Sequence, residues 1–173
     1  MAVVFLEGFD KYGGVNSNAA GVVALLTAGE WTTWTVATIV AGLSATGTAL
    51  QVGTSQNGTK TLAANYTRLV GGVRFSSLLG ANSATLIQFR DGATAQCSIT
   101  VESTGIINLR NGTVTGTILA SSSIAISVSS IHYIEWDITF GNSAAYQVWL
   151  DGVLRLVVQV TRQVRRTIML MHL

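Results

Sequence analysis

Apolar and polar residues alternate with a period of two over residues 131–158. In IHYIEWDITF, Ile134, Trp136, Ile138 and Phe140 fall on one face, and Tyr133, Glu135, Asp137 and Thr139 on the other. That is the pattern of a half-buried strand. After a turn at Gly141-Asn142-Ser143, AAYQVWL sets Tyr146, Val148 and Leu150 against Gln147, Trp149 and Asp151. Asp151-Gly152 supplies two residues that tolerate the positive φ angles of a tight hairpin, and VLRLVV returns as a third strand. The segment predicts an antiparallel meander.

The same grammar fills most of the chain. AVVFLE (2–7) reads as a strand, followed by a Gly-punctuated loop. Residues 19–28, AAGVVALLTA, are the one helical candidate, with Asn18 as cap and Gly29 as stop. WTTWTVATIV and GTALQVG are strand-like, and Gln56-Asn57-Gly58 turns into TKTLAA. RLVGGVRFSSL places Leu69, Gly71, Val73 and Phe75 on one face. TLIQFRD, ATAQCSITVES, IINLRN, TVTGTILA and SIAISV follow, separated by Asp91-Gly92, Ser103-Thr104-Gly105, Asn111-Gly112 and a serine cluster at 121–123. Turn signals every 8–12 residues or so indicate a sandwich or barrel, and the lack of alternating helices excludes βαβ units. The expected core is Phe75, Ile87, Phe89, Ile99, Val101, Ile134, Trp136, Ile138, Tyr146 and Val148. Residues 1–159 are expected to form one domain. Residues 160–173, VTRQVRRTIMLMHL, break the period, and three readings stand: a basic tail or arm that docks on a neighbour, a last strand, or an abnormal end of the reading frame.

Composition sharpens this picture in two ways. The 173 residues are 49% hydrophobic but only 10% charged, far below the usual ~25%. Thr and Ser, 21 and 15 residues, supply the polar surface instead. Two readings stand: a Thr/Ser-rich β surface, or a surface largely covered by other subunits. The net charge of +2 belongs to the tail. Residues 1–159 carry seven basic and eight acidic side chains, while Arg162, Arg165 and Arg166 follow with no acid. A nucleic-acid partner, which needs a basic face on the folded body, is not expected. No stretch is long and apolar enough to predict a membrane helix. The N-terminus lacks a signal-peptide pattern, so synthesis in the cytoplasm is expected.

Candidate chemistry is sparse. Cys97 shares a face with Ala95, Ile99 and Val101 and reads as a small buried side chain. His132 and His172 have no Cys or second His beside them in sequence, so no metal is expected. Glu135 and Asp137 share the polar face of one strand, at a spacing that could serve a carboxylate pair, or simply as solvated residues. No nucleophile elbow, P-loop or dinucleotide fingerprint occurs, and no cofactor or enzymatic activity is expected. Trp31, Trp34, Trp136 and Trp149 could stack on sugars. Trp136 aligns with Ile134 and Ile138 and reads as core. Trp149 falls between polar neighbours and is the better candidate for an exposed contact.

The opening AVVFLEGFDKYG resembles the start of many small tailed-phage proteins. GGVRF, LIQFRDGATAQCSITVESTGIINLRNGT and HYIEWDITFGNSAAYQVWLDGVL resemble the concanavalin-A/laminin-G-like jelly rolls of phage structural proteins. The resemblance spans residues 2–14 and about 67–158. It implies an all-β, two-sheet antiparallel jelly-roll sandwich on a virion, made in the host cytoplasm. The expected function is a capsid decoration or cement protein that stabilises the head shell. Its partners would be copies of itself, the major capsid protein or other virion proteins. The alternative is a receptor- or carbohydrate-binding module of a tail or head fibre, with host surface glycans as ligands. The residues expected to contact ligand or partner are Trp149, Arg162, Arg165 and Arg166. Low charge density, and edge strands without Pro and with few Lys, point to a closed homotrimer.

Overall fold

In a computed structural model, the residues described are 31–35, 38–41, 48–51, 57–76, 83–127, 130–141, 143–160 and 168–170. The expected first strand, the helix at 19–28, the arginines of the tail and His172 lie outside them. The chain divides into two compact units, 1–63 with 169–173, and 64–168.

In the first unit the described elements are short antiparallel pairs. β1 (Thr33–Trp34) pairs with β4 (Gly58–Thr59), and β2 (Thr38–Ala41) pairs with β3 (Thr48–Gln51). Trp31 and Trp34 are buried and meet edge to face, with ring centroids 4.8 Å apart. Gly58 is obligatory, because any Cβ there would enter the Trp34 indole.

The second unit is an antiparallel sandwich. One sheet runs β12-β11-β10-β5, built from β5 (Arg68–Ser76), β10 (Ile131–Thr139), β11 (Ala144–Leu150) and β12 (Val153–Val160). The predicted meander is its three-strand body. Asp151 and Gly152 form the β11–β12 turn with φ of 51° and 76°, the geometry the Asp-Gly pair suits. Within this unit the other sheet runs β6-β7-β8-β9: β6 (Ala84–Asp91), β7 (Thr94–Val101), β8 (Ile107–Asn111) and β9 (Ile118–Ser121). A three-residue strand, β13 (Ile168–Leu170), falls in the tail.

All ten expected core residues, Phe75, Ile87, Phe89, Ile99, Val101, Ile134, Trp136, Ile138, Tyr146 and Val148, are buried. Phe89 of β6 packs against Trp136 and Phe140 of the facing sheet, at centroid distances of 6.1 and 5.8 Å. Trp136 lies against Gly71, where a Cβ would come within 2.6 Å of the indole. The glycine thus makes room for the largest core side chain. Cys97 is fully buried, and burial pushes its thiol pKa up. Burial likewise pushes the Tyr146 phenol up to about 12.

Two segments depart from the expected strand grammar. Asn111-Gly112 opens a longer loop, closed by the Asn111 N–H donating to the Thr117 carbonyl, before β9 begins. SIAISV forms no strand over residues 123–127. The Ser122 hydroxyl donates to the Ile124 carbonyl and accepts from the Ile107 N–H. Such local bonds offer the backbone an alternative to a ladder. Ile126 is still buried, and its N–H donates to the Gly105 carbonyl.

Candidate functional site

The alternation that buries Ile134, Trp136 and Ile138 turns Tyr133, Glu135 and Asp137 to the other face of the four-stranded sheet. Register sets their neighbours. Glu135 stands between Trp149 on β11 and Gly72 on β5, and Asp137 between Gln147 and Val70. On β12, Leu154 stands beside Trp149 and Val157 beside Gln147. Val70, Tyr133, Leu154 and Val157 are all exposed. The face is therefore an open surface of aliphatic and aromatic groups with two carboxylates in its middle. An open depression of about 380 Å³ lies on it, lined by Val70, Gly71, Glu135, Trp136, Asp137, Trp149 and Gly152.

The two carboxylates differ. The Arg68 guanidinium donates to both oxygens of Asp137, from Nε at 2.7 Å and Nη2 at 2.5 Å. These hydrogen bonds hold the Asp137 carboxyl below its usual range. Glu135, half-buried beside Trp149, forms no hydrogen bond or ion pair among the described residues. A glycosidase pair needs one carboxyl kept protonated near neutral pH. Asp137 is pushed the other way and is not that acid.

The turn beside the depression is firmly held. Asp151 Oδ1 accepts from the Tyr133 N–H at 2.8 Å, and Oδ2 lies 2.7 Å from His132 Nδ1. His132 Nε2 lies 3.1 Å from the Ser127 carbonyl. His132 is thus a bracing residue between a turn and a loop. Among the described residues, no cluster of His, Cys, Asp and Glu gathers that could hold a metal ion.

The outward face of the other sheet is built differently. Gln88, Ser98, Thr100 and Asn108 are buried there. Glu102 accepts from Arg110 Nη2 and Asn108 Nδ2, each at 2.6 Å, and from the Ser83 hydroxyl. The Ser83 bond is the largest of the influences that lower the Glu102 pKa. Arg110 also donates to Thr100 Oγ1 and to the Gly116 carbonyl. This polar cluster is closed on itself and leaves Glu102 little capacity for a ligand.

Of the contact residues expected from sequence, Trp149 lies half-buried in the depression. Arg162, Arg165 and Arg166 lie outside the described residues. Trp31 and Trp34, weighed as sugar platforms, are buried. Sequence reasoning missed Val70 and Arg68 as neighbours of the site. Gly71-Gly72 inside a strand pattern was the available signal, since paired glycines there mark a close approach.

No protein-family model matches the chain, and a comparison with curated protein sequences finds no match. Solved structures do. A carbohydrate-binding module, CBM66 from Bacillus subtilis, superposes with a TM-score of 0.53 at 11% identity, covering 83% of this chain and 88% of that one. An endo-β-1,4-glucuronan lyase from the fungus Trichoderma reesei superposes with a TM-score of 0.54 at 13% identity, covering 92% and 81%. The class is thereby defined: an all-β, two-sheet antiparallel sandwich of the jelly-roll type.

Proposed function

We propose that this protein is a carbohydrate-binding module whose ligand lies on the open face of the β12-β11-β10-β5 sheet. The observation that carries the reading is Trp149, half-exposed on a firm sheet and directly opposite an unpaired carboxylate, within an open depression. An indole face covers the apolar face of a pyranose ring, while carboxylates accept from its hydroxyls. The likeness to a carbohydrate-binding module supports this reading. The decoration role, the trimer and the place on a virion draw no support from the two neighbours. On a virion, such a module would suit the receptor-binding part of a fibre. The lyase neighbour raises the question of cleavage; the Arg68 guanidinium engages both oxygens of Asp137, and the test below includes cleavage.

A glycan array followed by titration calorimetry tests the proposal. Wild-type protein should bind a defined set of glycans, and Trp149→Ala should weaken binding at least about tenfold with an unchanged melting temperature. Glucuronan incubated with the protein should yield no unsaturated ends. Absence of binding to every glycan, or equal binding by Trp149→Ala, would overturn the assignment.

A further inference from the structure

We propose that the depression selects a sugar carrying a free ammonium group, an aminohexose unit within an oligosaccharide. This rests on the carbohydrate-binding reading and narrows it. Two arginines of β5, Arg68 and Arg74, share the face with Asp137 and Glu135, but only one of the two carboxylates is paired among the described residues. Asp137 is neutralised by Arg68, which engages both of its oxygens. Glu135, two residues earlier on the same face, has no such partner among the described residues. A carboxylate is an acceptor only, so this half-buried anion gains most from a cationic donor.

The surroundings of Glu135 suit an ammonium group. Trp149 flanks it on β11. On β5 its neighbour is Gly72, and the absence of a side chain there leaves room that the Tyr133 phenol occupies. A Cβ on Gly72 would come within 2.6 Å of the Tyr133 hydroxyl. An indole and a phenol thus stand on either side of a free carboxylate. Ammonium groups are attracted by aromatic faces and by carboxylates together. A uronic acid in the same place would set a second carboxylate against Glu135 in a partly desolvated groove, where like charges repel more strongly than in water. An N-acetylated sugar would offer an amide N–H in place of a cation, a weaker partner for an ionised acceptor.

The test is calorimetric titration of the full chain with glucosamine oligomers, their N-acetylated counterparts, neutral gluco-oligosaccharides and glucuronan oligomers. Oligolysine of matched charge serves as a competitor. The free-amine oligomer should bind about tenfold or more tighter than the acetylated one, and the uronate weakest. Glu135→Gln, close in shape, should erase the amine preference, read as the ratio of free-amine to neutral-sugar affinity. Equal affinity for free-amine and neutral sugars would overturn the amine selectivity and leave glycan binding standing. Oligolysine displacing the sugar at equal concentration would overturn it as well, by making the site a general cation trap. Absence of binding to any sugar would remove the parent reading too.

Discussion

The two sheets of the sandwich share one core and differ on their outward faces. The outward face of β12-β11-β10-β5 exposes Val70, Tyr133, Leu154 and Val157 around a carboxylate without a partner. The outward face of β6-β7-β8-β9 buries Gln88, Ser98, Thr100 and Asn108 and joins Asn108 to Glu102, Arg110 and Ser83. In the second case the charged groups, Glu102 and Arg110, are engaged with each other and with neighbouring polar groups, which rigidifies the face and leaves its charges little to offer. In the first, the hydrogen-bonding capacity of Glu135 and the flat surface of Trp149 remain unspent. A binding surface is therefore recognised by unsatisfied capacity on a rigid support rather than by polar residues as such.

The largest effect should come from the core that both sheets share. Trp136→Ala leaves a large cavity between Phe89 and Gly71 and should cost roughly 3–5 kcal/mol, read by urea denaturation. A loss below about 1 kcal/mol would mean that the site sheet stands without the other.

The two arginine–carboxylate pairs should then separate the faces. Arg110 is largely buried, and Arg110→Ala strands Glu102 with two of its three side-chain donors. With allowance for the partial exposure of Glu102, the loss should be on the order of 2 kcal/mol. Arg68 is exposed, and Arg68→Ala should leave stability unchanged within error. The pH dependence follows the same division. The Glu102 carboxyl is lowered in the folded state, so its contribution is fully present above the unfolded carboxylate range of about 4. It is lost as pH falls through the lower folded value. Wild type should therefore lose more stability than Arg110→Ala between neutral pH and about pH 3, as followed by thermal melts. Parallel pH curves for the two proteins would contradict the role given to the Glu102 cluster.

The smallest effect tests whether the buried polar face contains slack. Ser98 is fully buried, and its hydroxyl has no hydrogen-bond partner among the described residues. Ser98→Ala should be neutral or stabilising by up to about 1 kcal/mol, because an unpaired buried hydroxyl costs desolvation. A clear destabilisation would reveal a partner for that hydroxyl.

Period-two alternation and turn chemistry are legible in the chain itself. They place Ile134, Trp136 and Ile138 inside and Asp151-Gly152 at a hairpin, because side-chain direction in a strand and φ > 0 at a turn are local consequences of residue type. They also put Trp149 and Glu135 on outward faces. Local pattern could not assign the partners of these residues. That Arg68 neutralises Asp137 across 69 positions, while Glu135 meets Trp149 and an empty Gly72, follows from strand order and register. Nor could it show that the polar alternation of β7 and β8 would be buried rather than wet, or that Ser122 would bend SIAISV out of a strand. Alternation states only that one side of a strand differs from the other. What meets the second side, water or protein, is decided by which distant segments pack there.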